Sequence, residues 1–272
     1  MGAFPALTAP ADPALAAYEV LAPFYDDFTA GYAHEPWLAK IDRLLQEFGV
    51  PGRRVLDVAC GTGKSSLPLL ERGYEVTACD LSPRMVEAAR RRLCRPRDRV
   101  FVADMRRLPR LPAFDAVTAL DDAVNYLTTV ADVKAAFSTV RRVLRPGGLF
   151  IFDVNSLSTY LNGFTGESSR ERDGLTFHWR GQGPHSPEPG ALFSATIEVI
   201  PPADRGRPAT STHVQRHYDV RALRTLLRDA GLLTLEVFGQ STGARLSTPA
   251  DESRHSKLLF VAQRPDRARR ES

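Results

Sequence analysis

The sequence has no apolar run near the roughly 20 residues that a membrane span requires, and its opening, MGAFPALTAPADP, has no basic segment ahead of an apolar core. Neither a spanning helix nor a secretory leader is therefore expected, and the cytoplasm is the default location. Cysteine is scarce: Cys60, Cys79 and Cys94 leave one thiol over in any pairing and show no metal-ligand spacing, so reduced buried thiols are expected. Lysine is scarce beside arginine, 4 against 32, and the 36 basic residues face 32 acids for a net charge of +4. The arginines bunch at RRRLCRPRDR (90–99) and in the tail RPDRARRES. Neither cluster has the interleaved aromatics that a base-stacking surface would use, so they read as a solvated helix face and a polar tail. No internal repeat is present. With 25% charged and 43% apolar residues, the 272-residue chain has an ordinary globular composition and is long enough for a large α/β core with an insertion.

What is present centres on VLDVACGTGKSS, residues 55–66. Val55, Leu56 and Val58 give the continuous apolar run of a strand buried on both faces of a parallel sheet. Gly61 and Gly63 remove side chains where main chain must approach something closely, and a helix N-terminus follows near Lys64. The GKS is not a phosphate loop of the P-loop type, because position 58 holds Val58 where a glycine is needed. A dinucleotide fingerprint needs glycine or alanine where the chain has Ser66, which weakens that reading. A loop for S-adenosylmethionine (SAM) is the third reading.

The periodicity predicts helix from residue 13 to 48, strands at 54–59, 74–79, 100–103, 114–120 and 149–154, and helices between them. Ser82 followed by Pro83 is an N-cap with proline in the first turn. This βαβ rhythm implies a parallel sheet with right-handed crossovers. Asp80, Asp104, Asp121, Asp122 and Asn155 fall at the carboxyl ends of the strands, where open α/β sheets bind ligands. After Asn155 the rhythm breaks. Segments 175–180, 191–200 and 210–218 alternate like antiparallel strands, before a helix at 219–230 and strands at 232–238 and 257–263. The expected division is a disordered leader at 1–14, a core at 15–155 and 219–264, an insert at 156–218 over the site, and a disordered tail at 265–272.

VLDVACGTG, the acid in CDLSPRM, ADM after strand three and LRPGG before strand five, in that order, together resemble a class I SAM-dependent methyltransferase. The resemblance covers residues 15–155 and the last two strands; the insert matches it poorly. It implies an α/β, Rossmann-like seven-stranded sheet in the order 3-2-1-4-5-7-6, strand 7 antiparallel, with helices on both faces and the antiparallel β insert over the active site. SAM is the implied cofactor. Asp80 would accept the ribose hydroxyls, Asp104 the adenine amino group with Leu81 and Met105 along the ring, and Met85 would stand behind them. Asp57 would organise the loop through its backbone donors, Ala59, Gly61 and Gly63 would give the methionine arm its close approach, and the Leu120 carbonyl would meet its ammonium. A ribose alone does not separate SAM from a nicotinamide cofactor, and capping is the alternative role for Asp104 and Asp121.

Tyr18 and Tyr25, in YEVLAPFYDDF, resemble the N-terminal tyrosines that close over SAM. For catalysis the candidates are His217, Asp122 and Tyr25; His213 and His217 share strand parity, so both could face the pocket. His178 lies on a neighbouring strand. The implied function is methyl transfer to oxygen or nitrogen of a small molecule, probed against two alternatives, an RNA methyltransferase and a noncatalytic SAM-binding protein. Bacterial enzymes of specialised metabolism, including antibiotic biosynthesis, are the nearest resemblance. The expected partners are a small-molecule acceptor and, at most, a second copy in a homodimer; no nucleic acid, membrane or metal is expected.

Overall fold

Arg54–Val58 (β1) is buried along nearly its whole length because it lies between two parallel neighbours, Glu75–Asp80 (β2) and Phe114–Ala119 (β4). The computed structural model describes residues 12–32, 34–50, 52–95, 99–204, 206–241 and 245–266. Val100–Val102 (β3) extends the sheet beyond β2, and Leu144–Asn155 (β5) beyond β4. Antiparallel to β5 runs Lys257–Gln263 (β12), which pairs in turn with Leu233–Ser241 (β10), and β10 pairs with the edge strand Arg245–Ser247 (β11). The order is β11-β10-β12-β5-β4-β1-β2-β3. The seven strands from β10 to the β3 edge follow the expected order, with the strand expected as number seven, β12, antiparallel. The eighth, β11, is an addition; at three residues it offers no period to read.

Strand residues alternate between two faces. One face sets Phe150, Phe152 and Phe260 against Phe137 and Val140 of helix Val130–Val143 (α6) and Leu223 and Leu227 of Val220–Asp229 (α8). The other sets Leu149, Ile151, Val261 and Val55 against Leu38, Ile41 and Leu45 of His34–Glu47 (α3). Ser66–Glu71 (α4) and Pro83–Leu93 (α5) complete the crossovers; Ser82 caps α5, its hydroxyl accepting from the Met85 N–H at 3.1 Å.

The expected single helix from 13 to 48 is broken. Pro13–Leu21 (α1) runs into a 3-10 turn at Ala22–Phe24, then a short helix Tyr25–Phe28 (α2), and α3 starts afresh. Pro23 supplies the interruption, since it lacks the N–H a continuing helix would use. Asp12, expected within the leader, caps α1 by accepting from the N–H groups of Ala14 and Leu15 at 2.9 and 3.2 Å. Pro13 and Ala14, also expected in the disordered leader, open α1, while residues 1–11 and 267–272 lie outside the described residues.

Between β5 and α8 the chain makes one helical turn, Leu157–Thr159 (α7), a π turn at Tyr160–Phe164, and a second, four-stranded antiparallel sheet. Its strands are Glu167–Arg172 (β6), Leu175–Gln182 (β7), Leu192–Ile200 (β8) and Ala209–Arg216 (β9). Three match the segments read from alternation. β6, ESSRER, is exposed at every position and carries no apolar signal. The inner face of this sheet packs Phe177, Ile197 and Val199 against Leu21, Phe24 and Phe28, so α1 and α2 lie between the two sheets. Among the described residues no helix is long and apolar enough to cross a membrane.

Candidate active site

Two joined cavities lie at the carboxyl ends of β1, β2, β4 and β5. The first, about 960 Å³ counted to its open mouth, runs over the loop after β1 and the tips of β2 and β3. Asp80 stands at its centre. Its Oδ2 accepts from the Gly61 N–H at 2.8 Å and its Oδ1 from the Ser82 N–H at 2.9 Å, leaving further lone pairs on each oxygen. Burial pushes its carboxyl up to about 6, against the pull of those bonds. Ala59 and Gly61 hold positive φ, 55° and 54°, which turns the loop sharply off the strand. A Cβ at Gly61 would reach 3.6 Å from the Tyr25 ring, towards the cleft.

Gly63, expected to face the methionine arm, faces the protein instead: a Cβ there would press 3.2 Å from Leu93 and 3.4 Å from Ala89. Its role is close packing of the loop on α5. Asp57 also stands back from the cleft, fully buried, and organises the loop through side-chain hydroxyls, not the expected backbone donors. It accepts from Ser65 Oγ at 2.7 Å, Ser66 Oγ at 2.5 Å and Thr118 Oγ1 at 2.8 Å. Met85 is buried in α5 and does not reach the cleft wall. Leu81, Met105, Leu120, Ala59 and Tyr18 do line it.

Asp104 lines the cleft, but its carboxylate is already engaged by a residue that sequence reasoning missed. Arg106 Nε donates to both oxygens at 2.9 and 3.0 Å, and its backbone N–H donates to Oδ1 at 2.8 Å. The same guanidinium pairs with Asp12 at 2.5 Å, which ties the start of α1 to the tip of β3. Two further contacts hold α1 and α2 over the cleft. Glu19 accepts from Ser82 Oγ at 2.5 Å and from the Arg84 N–H at 3.1 Å, while Asp26 accepts from Arg92 at 2.6 Å and Thr62 Oγ1 at 2.7 Å.

The second cavity, about 1880 Å³ to its mouth, lies between the strand tips and the second sheet. Tyr18, Tyr25, Asp121 and Tyr126 line both cavities and mark where they meet. Tyr18 lies 6.0 Å from Tyr25, 5.2 Å from Tyr126 and 5.3 Å from His213, ring centre to ring centre. Burial pushes the Tyr18 and Tyr25 phenols well up, so both stay neutral. Such an aromatic cluster suits a cationic centre.

His213 and not His217 reaches the cavity. The two share a face of β9, but β9 ends at Arg216 and His217 lies past it, beyond the cavity wall. His217 is buried, with Nε2 2.7 Å from Glu252 Oε2 and its ring against Tyr160. His213 Nδ1 is 3.0 Å from Tyr126 Oη and Nε2 is 3.0 Å from Ser211 Oγ. Burial pulls its imidazole down to about 4, so the ring is neutral near pH 7. His178, on β7, bonds Ser169 Oγ of the edge strand β6 at 2.6 Å.

Asp121 and Asp122 follow β4 in the left-handed region, φ 58° and 53°, a conformation that aspartate adopts more cheaply than most residues. Asp122 is not a free base. Its Oδ1 is 2.9 Å from Lys257 Nζ, and Gln215 Nε2 donates to its Oδ2 at 2.6 Å. Gln215 is fixed in turn by Tyr160 Oη and Asn155 Nδ2, which donate to its Oε1 at 2.9 and 3.1 Å. Lys257 also pairs with the fully buried Asp153 at 2.8 Å and lies 3.8 Å from Asp121.

The residues of the first cavity fit SAM: a buried carboxylate for a diol, apolar side chains for a ring, a loop stripped of side chain at Gly61, and a phenol cluster where a sulfonium would stand. A family model described as "Methyltransferase domain" matches residues 55–148. The chain is 30% identical to "Putative methyltransferase YqeM" of Bacillus subtilis strain 168 over 91% of this chain and 97% of that one. Its fold is shared with an S-adenosylmethionine-dependent methyltransferase from Clostridium acetobutylicum, TM-score 0.76 at 23% identity, over 92% of this chain and 99% of the other. It is shared too with SAM-bound CalS10, an amino pentose methyltransferase from Micromonospora echinaspora involved in calicheamicin biosynthesis, TM-score 0.67 at 24% identity, over 89% and 96%. A relative matched along nearly its whole length, a methyltransferase domain over the loop and strands that build the cleft, and a cleft whose donors suit the cofactor lead to one assignment: the chain belongs to the class I SAM-dependent methyltransferases.

Proposed function

We propose that this enzyme methylates an oxygen or nitrogen of a small molecule in specialised metabolism. The observation that carries the reading is the junction. The cofactor cleft opens, at Tyr18, Tyr25, Asp121 and Tyr126, into a second cavity roofed by the second sheet and by α1 and α2. A chamber roofed in this way favours a compact acceptor over a folded RNA, and CalS10, of the same fold, acts on an amino pentose.

SAM, when bound, supplies a methyl carbon already activated by a positively charged sulfur. The chain's work is alignment, which in well-oriented systems contributes on the order of 7–11 kcal/mol. Asp80 would hold the ribose end, Tyr18 and Tyr25 the sulfonium region. Tyr126, on the wall of both cavities, would orient the acceptor. In the tautomer where His213 Nε2–H donates to Ser211, Nδ1 accepts from Tyr126 Oη, and the phenol oxygen turns a lone pair to the acceptor's N–H or O–H. For a hydroxyl acceptor, whose proton becomes strongly acidic as the methyl is gained, Tyr126 Oη would take that proton while the phenol proton passes to His213 Nδ1; an amine acceptor would be oriented by Tyr126 and keep its proton, since His213, pulled down to about 4, is too weak a base for it. The Tyr126 phenol, pushed up by burial, ends neutral as it began. Asp122, locked between Lys257 and Gln215, would shape the wall.

The enzyme, supplied with SAM, is expected to release S-adenosylhomocysteine (SAH) and add one methyl, read by mass spectrometry, with members of a small amine and phenol panel. Methylation confined to RNA would overturn the reading. With a hydroxyl acceptor in hand, His213→Asn is expected to lower kcat by about 10²–10⁴ with SAH affinity retained; an equal loss of SAH affinity would make His213 structural.

A further inference from the structure

β6 was invisible to sequence patterning because every residue of ESSRER is exposed, yet two of its side chains, Ser168 and Arg170, face the acceptor cavity. They are two apart, on one face of the strand. The Arg170 guanidinium lies 4.4 Å from the Phe28 ring centre and 5.6 Å from that of Phe177. It donates one N–H to the Phe28 carbonyl. The Phe28 ring braces it, Tyr32 lies within its electrostatic reach, and its other N–H groups meet no carboxylate among the described residues.

The cavity's charges are arranged in two groups. Its other cation, Lys257, is within ion-pair distance of Asp121, Asp122 and Asp153. Arg170 has no carboxylate partner among the described residues. Acids therefore stand at the junction, where the methyl would be delivered, and an unneutralised guanidinium stands on the insert side. Beside it, the Phe28 and Trp179 rings stack with their planes 13° apart and centres 6.4 Å apart, and both line the cavity.

We infer that the acceptor carries an anionic group, a carboxylate or a phosphate, which Arg170 and Ser168 bind, with its apolar part against the Phe28 and Trp179 edge of the cavity. The inference rests on the methyl-transfer reading for the word acceptor; the anion subsite itself does not need it. A guanidinium braced on aromatic faces presents paired N–H groups that match either oxyanion. Asp121 repels the same group from the junction, so the charge layout also sets which end of the acceptor enters first.

Phenyl phosphate, benzoate and neutral benzyl alcohol serve as probes, titrated by calorimetry into the full chain with and without SAH. At least one anion is expected to bind roughly tenfold or more tightly than the alcohol. Preference for phenyl phosphate identifies a phosphate subsite, preference for benzoate a carboxylate one. Arg170→Gln is expected to abolish the preference, and Arg170→Lys to restore part of it, since the charge returns without the braced plane. Equal binding of anions and alcohol, or a preference that survives R170Q with unchanged melting, overturns the inference. Failure of SAH to bind would instead strike the methyl-transfer reading, and the titrations without SAH still decide the anion subsite.

Discussion

Asp80 joins the chemistry of the cleft to pH. Its carboxyl titrates at about 6 in the folded chain against an ordinary 3.8. Because the native state holds that proton more tightly, the contribution of Asp80 to the stability of the unliganded protein is fully present below 3.8 and lost as pH rises through 6. On the proposed ribose role ligand binding would run the other way, since hydroxyls bond an ionised carboxylate more strongly than a protonated one. The rise in Tm produced by SAH is therefore expected to shrink as pH falls from about 7.5 to about 5, and Asp80→Asn should remove that dependence in differential scanning fluorimetry. Asp80→Ala should weaken SAH binding by about 1.5–3 kcal/mol, one charge-assisted pair; an unchanged Kd would remove Asp80 from the ribose. His213, pulled to about 4, stays neutral through the same window and adds no inflection there.

At the scale of elements, α1 and α2 are fastened to three cofactor loops by separate polar contacts: Asp12 to Arg106, Glu19 to Ser82 and Arg84, Asp26 to Arg92 and Thr62. These are partly exposed pairs, each worth about 0.2–1 kcal/mol, and together they hold α1 and α2 over the cleft. Glu19→Gln combined with Asp26→Asn is expected to raise the SAH dissociation rate several-fold to about tenfold in stopped-flow displacement, with a smaller effect at high salt. Little of this was legible in the sequence. The core strands were, because parallel strands buried on both faces leave continuous apolar runs such as LFIFDV. The cap at Ser82 was legible from residue chemistry alone. What stayed hidden has physical causes: β6 has no buried face, β11 is three residues long, and strand parity told which face His213 and His217 share but not where along β9 the cavity stops. Arg106 belongs to no motif, and Gly63 looks the same in sequence whether it admits a ligand or the side of α5.

For the whole molecule, Lys257 is the point where the antiparallel end of the main sheet meets the loop after β4 and, through Asp122 and Gln215, the second sheet. Replacing Lys257 by Met leaves Asp153 fully buried without its cation, and burial already pushes that carboxyl upward. A loss of about 3–5 kcal/mol is expected in urea unfolding, with part of it recovered in K257M/D153N, where the orphaned charge is gone. A lesser cost than about 1 kcal/mol would mean that the site is wetter than its burial indicates. Tyr18, Tyr25, Asp121 and Tyr126 wall both cavities, so a substitution at any of them alters both spaces at once. Of the two cavities, the described residues of β6 to β9 line only the second, so substitutions there can reshape it while the walls of the cofactor cleft stay as they are.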